Sequence, residues 1–387
     1  MTFPTGDWGA QFRWSLADAA CQKALVKHRS SMAALKIVYD NDGLWDWGDP
    51  LGDGPELLRG MVDQYADAGA EAVVWGCGNN LAWSYSPGLQ EAWCDRVPKE
   101  NEGLAHIAQR QRDWRAAGMD PLGVLLERAN ARNLSVLAGF RLNRFMKKFG
   151  VESWIEKNPH VILSEASCPM YANTFSANLA LPEVREHFVA HSIDVVERYD
   201  VDGLHLEFMR AIPFFERDEP DKIGHMNTFL KMLRVELDRV GQKRGRRMKL
   251  SIWSGTPEIY RVIRKDIFPP EFFDLAFHGI DPKTWIAEGW LDYLMMSVWS
   301  GLHSRREQPV ELSQWGQGAD VPGETKVLGA IDNAQALPEP AHFRESVEVI
   351  RSLGAKSNGV YLFNTQPFHL ALLLKGAAQS GTRMGQS

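Results

Sequence analysis

An α/β fold, a single (β/α)8 or TIM barrel with long loops after strands two, three and six, is what this sequence predicts. Three observations predict it. Eight short apolar runs recur along the chain, mostly followed by a stretch of helical periodicity, the alternation that gives a parallel α/β sheet. The runs are continuously apolar rather than alternating, as in parallel strands buried on both faces. Their C-terminal ends collect carboxylates, amides, Arg, His and Trp, and the site of such a barrel lies at that face.

The strands are read at Leu35–Tyr39, Ala72–Trp75, Ser135–Phe140, Gly203–Phe208, Lys249–Trp253, Tyr293–Val298, Lys326–Ile331 and Gly359–Phe363. Phe273–His278 is a rival for the fifth or sixth place. Between them, helices are read at Pro55–Ala68, Leu104–Ala117 with Pro121–Arg132, Pro182–Arg198, Gly224–Val240, Pro257–Lys265 with Pro282–Glu288, and Ala341–Leu353. Pro367–Ala377 follows the last strand. Several of these begin with Pro, which suits the first turn because its missing N–H would be unpaired there. Ala17–Lys27 reads as a helix within an N-terminal segment, residues 1–32, that closes the bottom of the barrel. With no internal repeat or low-complexity linker, residues 1–380 are expected to form one domain. The Gly-rich polar tail 381–387 is expected to be disordered.

The 387 residues carry a formal net charge of −6, which does not suit a nucleic-acid surface with its basic stripe. The one basic run, Lys243–Arg247, ends an amphipathic helix and suits that helix's C-terminus. The four cysteines, Cys21, Cys77, Cys94 and Cys168, show no metal-ligand spacing and read as reduced thiols. No apolar leader follows Met1, and no run approaches the roughly 18 apolar residues that span a bilayer. The expectation is a cytoplasmic protein with a small-molecule partner, no nucleic acid, no membrane, no cofactor and no metal. Its oligomeric state is not legible.

The segments Gly76–Asn101, Arg141–Leu181 and Ser300–Glu324 far exceed the roughly 2–6 residues usual between α/β elements. Long loops at the C-terminal face usually build a substrate site. These hold Trp83, Tyr85, Trp93, Trp154, Tyr171 and Trp315, with Trp299 where strand six ends.

Strand four is the most informative element. Alternate side chains of a strand face the same way, so Gly203, His205 and Glu207 point to one face and Leu204, Leu206 and Phe208 to the other. The apolar face takes the helix layer and the polar face looks into the barrel. Glu207 is therefore a lumenal carboxylate, costly unless paired or used. The structural alternative is an ion pair with Arg141 or Arg210. Other strand ends supply Asp40, Asn79, Arg141 with Asn143, Trp253, Trp299, Asp332 with Asn333, and Asn364. Paired carboxylates ringed by amides, Arg, His and Trp are what glycoside hydrolysis requires: one acid to protonate the leaving oxygen, one base to attack or activate water. Asp332 and Asp40 are the candidate partners of Glu207, and each also reads as a strand-ending turn. His205 lies one layer deeper and would orient Glu207 or adjust its pKa.

The run Pro182-Glu-Val-Arg185, followed by Val201-Asp-Gly-Leu-His-Leu-Glu207 and Arg210, resembles the glycoside hydrolase-like barrels related to glycoside hydrolase family 10. Glu207 stands where that family commonly has Asp, and Phe208 where Tyr is common. The resemblance implies a glycosidase. In the large clan of retaining barrel glycosidases the acid/base ends strand four and the nucleophile ends strand seven, which gives Glu207 and Asp332 here. Leu206 stands where that clan has Asn. A metal-dependent sugar isomerase, epimerase or lyase, using His205, Glu207 and Asp40, Asp332 or His278, is the alternative on the same fold, with a non-catalytic carbohydrate-binding barrel as a third reading.

Overall fold

The computed structural model describes residues 36–41, 43, 54–99, 101–143, 145–167, 174–209, 212–257, 270–300, 325–332 and 359–363. Eight parallel strands close into a barrel: β1 Lys36–Asn41, β2 Ala72–Gly78, β3 Ser135–Phe140, β4 Gly203–Glu207, β5 Lys249–Gly255, β6 Tyr293–Ser300, β7 Lys326–Asp332 and β8 Gly359–Phe363. Each pairs in parallel with the next, and β8 pairs with β1. All eight strands expected from the sequence are present in that order. Five of them run one to three residues past the apolar segment, because most of the residues there are polar or glycine and hydrophobicity alone stops too early.

Helices α1 Pro55–Asp67, α2 Glu102–Ala116, α3 Pro121–Ala131, α4 Pro182–Arg198, α5 Lys222–Arg244 and α6 Pro282–Ala287 lie between the strands. Aspartates cap three of them: Asp120, Asp221 and Asp281 accept from the backbone N–H three residues on. The helix α5 runs through Gly241 and stops at Gly245, which adopts the left-handed conformation at φ 67° that ends many helices. Phe273–His278 is not a strand. It forms 3-10 turns at Pro270–Phe273 and Ala276–His278, because Asp274 accepts from the Ala276 N–H and closes a turn. The helices expected at 17–27, 341–353 and 367–377, all but Pro257 of the one at 257–265, the segments 1–32 and 381–387, and the loop 301–324 lie outside the described residues. Among the described residues no helix is long and apolar enough to cross a membrane.

The N-terminal end of the barrel is clamped by aspartates just before strands. Asp202 accepts from the Val136 N–H through Oδ2 at 2.9 Å, and its own N–H and C=O bond to Val136 and Lys249. Asp292 repeats the arrangement with Leu250 and Lys326 before β6. Gly203, the next residue in the strand-four motif, must be small: a Cβ there would meet the Lys249 carbonyl oxygen at 2.2 Å. Fixing these starts fixes where the strands end.

The described parts of the loops after β2 and β3 are packed. After β2 the chain folds back, with Gly78 paired antiparallel to Ala82. Trp83, Trp93, Leu81, Leu104 and Ile107 form a small second core beneath it. After β3, Phe145–Met146 pairs antiparallel with Thr174–Phe175.

Candidate active site

Glu207 ends β4 with a buried side chain. Its Oε2 accepts from Arg141 Nε at 2.5 Å. Arg141 follows the last residue of β3, and its N–H bonds to the Gly78 carbonyl at the end of β2. Three adjacent strands thus set the pair. The guanidinium compensates a carboxylate that burial would otherwise penalise heavily. The ion pair expected as the structural alternative is formed, and it also holds a charged group in place at the barrel mouth.

One layer below, His205 is 1 % exposed. Its Nδ1 lies 2.8 Å from Ser251 Oγ, and that hydroxyl donates to Met295 Sδ. The imidazole Nε2 faces Tyr361 Oη at 3.4 Å and Asp40 Oδ2 at 3.8 Å. Burial pushes His205 down to about 3, with the Glu207 charge acting the other way, so the ring is neutral at ordinary pH. The sequence predicts that His205 orients Glu207 or adjusts its pKa. Its Nδ1–H bonds Ser251, Nε2 faces Tyr361 and Asp40, and the Glu207 charge acts on the ring.

Asp40, near the end of β1, is buried and accepts a short hydrogen bond from the Tyr361 hydroxyl. A second carboxylate of the lumen is therefore positioned by a named donor. The Trp253 indole is fully buried, donates to Ser297 Oγ at 2.8 Å, and packs against Tyr361 and Phe363 with ring centroids 5.2 and 4.7 Å away. Trp253 pairs with Glu207 in register, and Phe363 with Asp40. An aromatic layer thus lies at the level of the two carboxylates.

Two candidates prove to tie loops together. Asn143 is fully buried, accepts from the Ala177 N–H and donates to the Pro213 carbonyl, both at 2.9 Å. It fastens the loop after β3 to the one after β4. Asn79 accepts from the Leu81 N–H and shapes the reversal after β2. His278 bonds the Phe272 carbonyl at 2.8 Å within its own turn. Of the loop aromatics, Trp83, Tyr85 and Trp93 are buried in packing, and Trp154 stacks on His187. Arg210, Asn333, Asn364, Tyr171 and Trp315 lie outside the described residues, as do the side chains of Asp332 and Trp299. The backbone of Asp332 pairs with Phe363 and Ser300.

Sequence reasoning missed Tyr361 and Ser251. Both were accessible to it, since Gly359, Tyr361 and Phe363 share one face of β8 and Ser251 and Trp253 one face of β5. Arg185, in the Pro-Glu-Val-Arg run, is structural. Its Nη1 donates to the Leu179 and Ala180 carbonyls and fixes the entry to α4.

Residues 102–221 match the family model described as glycosyl hydrolase-like 10, which bears out the resemblance carried by Pro182–Arg185 and Val201–Glu207. No curated protein matches the chain. Among solved structures, it is similar to a noncanonic maltogenic alpha-amylase, AmyB, from Thermotoga neapolitana, at 12 % identity and TM-score 0.47, covering 89 % of this chain and 76 % of that one. A glycoside hydrolase family 18 N-acetylglucosaminidase from Paenibacillus barengoltzii matches at 10 % identity and TM-score 0.45, over 89 % of this chain and 99 % of that one. An alpha-L-fucosidase isoenzyme from Paenibacillus thiaminolyticus matches at 11 % and 0.46, over 91 % of this chain and half of that one.

Proposed function

We propose that the protein hydrolyses glycosidic bonds of an oligosaccharide or glycoside at the C-terminal mouth of the barrel, with Glu207 as an essential carboxylate. The observation that carries this reading is a buried glutamate at the end of β4, held by Arg141 at 2.5 Å from the end of β3. The match of residues 102–221 to glycosyl hydrolase-like 10 supports the reaction class.

The chemistry needs two carboxyl groups. One protonates the glycosidic oxygen as the bond from C1 to that oxygen breaks; the other attacks C1 or takes a proton from the attacking water. A carboxylate bound by a guanidinium is in the charged form, which suits the second role. Glu207 accordingly takes the anionic half of the reaction. This departs from the acid/base role that likeness to the retaining clan implies. Asp332 at the end of β7 or Asp40 at the end of β1 supplies the proton. Tyr361 positions Asp40, and Trp253 with Phe363 forms apolar packing beside it, the mix of apolar walls and few placed polar groups that small-molecule sites use.

A panel of aryl and alkyl glycosides separates the roles. Loss of a general acid is masked when the leaving group is a good one, such as dinitrophenolate, because it departs without a proton. Loss of the attacking or water-activating group is not masked. Glu207→Gln should be slow on both kinds of substrate. Near-normal hydrolysis of the dinitrophenyl glycoside alone would return Glu207 to the acid role. A wild-type chain that hydrolyses nothing across α- and β-linked hexosides, pentosides and N-acetylhexosaminides would sink the proposal.

A further inference from the structure

We propose that Glu152, His187 and His191 form a binding site for a divalent transition-metal cation of the zinc type, outside the barrel lumen. The sequence sets His187 and His191 four residues apart, and the fold brings a carboxylate to them. His187 and His191 stand one turn apart on α4, so their rings lie on one face. Glu152, from the long loop after β3, sits just before the short helix Ser153–Lys157 and reaches the same face.

Nitrogen Nε2 of His187 is 3.1 and 3.0 Å from the two Glu152 oxygens, and His191 Nδ1 is 3.8 Å from Oε2. One ligand atom from each residue lies within 4.8 Å of the others, and among the described residues no other group of three His, Cys, Asp or Glu does so. A tetrahedral ion with bonds of about 2.0–2.2 Å separates its ligands by roughly 3.3 Å, so small side-chain rotations suffice. Two imidazoles and a carboxylate are a donor set that zinc-type ions take.

A second observation points to a missing partner. His191 is 7 % exposed, and its Nδ1, which faces Glu152, has no hydrogen-bond partner. The Asn80 amide, wholly buried beside the Glu152 carboxyl, makes no well-formed hydrogen bond through either atom. The Trp154 ring stacks on His187 at 3.8 Å and fixes its plane. The part-exposed edge of His187 gives an ion a way in. Bound there, a cation fastens the long loop after β3 to α4.

Titration of the metal-stripped full chain with Zn²⁺ alone, by calorimetry and by thermal melting, tests this. One equivalent should bind with Kd tighter than about 10 µM and raise Tm. In Glu152→Gln and in His187→Gln the binding should weaken by roughly 100-fold or more, with circular dichroism confirming that each variant is folded. Glu207→Gln should bind Zn²⁺ as the wild type does. The proposal is overturned if no equivalent binds at that strength, or if both folded cluster variants keep it. It is also overturned if only Glu207→Gln loses it, which would put the ion in the lumen.

Discussion

Arg141 Nε and Glu207 Oε2 stand 2.5 Å apart at the ends of neighbouring strands, each side chain about nine-tenths buried. Arg141→Met removes the guanidinium that compensates this carboxylate. It should cost about 1–3 kcal/mol by urea denaturation at neutral pH. A denaturation midpoint equal to that of the wild type would mean that the pair contributes no charge compensation.

Tyr361→Phe keeps the ring that packs on Trp253 and removes the hydroxyl that donates to Asp40. The variant should fold, with a cost near 1 kcal/mol. If Asp40 is the second carboxyl of the reaction, kcat should fall by at least 10-fold and the acidic limb of the pH–rate profile should move. An unchanged profile leaves Asp332 as the partner of Glu207.

Asn143→Ala should act on stability before it acts on substrate. The deletion strands the Ala177 N–H and the Pro213 carbonyl, each worth about 1–3 kcal/mol when buried and unpaired. A melting temperature within 1 °C of wild type, measured by calorimetry, would contradict the bridging role.

The eight strands were legible because a parallel barrel strand is buried on both faces and announces itself as an apolar run. What hydrophobicity could not show were the polar strand ends, and those hold Asp40, Gly255 and Asp332. The site was half legible. The alternation in β4 puts His205 and Glu207 on the lumenal face from sequence alone. Which arginine pairs with Glu207, and that Tyr361 rather than Glu207 faces His205, depend on which strands the closure sets side by side. Asn143 reads identically whether it binds a sugar or two loop backbones. The Glu152 cluster was hidden for a similar reason: His187 and His191 lie within an otherwise amphipathic helix, and their third partner is 35 residues away.

His205 gives the pH dependence its sign. Its folded value, about 3, lies below the ordinary 6.5. Between these values the unfolded chain binds a proton that the folded one refuses. Stability is therefore full above pH 6.5 and lost as pH falls through that window. His187, His191 and His278, at about 4, act in the same direction, while Glu152, raised to about 8 by burial, acts in the opposite one. Stability at pH 4.5 should drop relative to pH 7 by about 2 kcal/mol more in wild type than in His205→Gln. Parallel stability curves for the two proteins would refute it.

Glu207→Gln bears on the whole account. The substitution preserves shape and an acceptor for Arg141 while removing the ionisable group, so it should fold, with a modest loss of stability from the weakened ion pair. Measured as kcat on the best aryl glycoside found for the wild type, with folding confirmed by circular dichroism, turnover should fall by roughly 10²–10⁴-fold. A folded Glu207→Gln that turns over within a few-fold of wild type would contradict the assignment of the site.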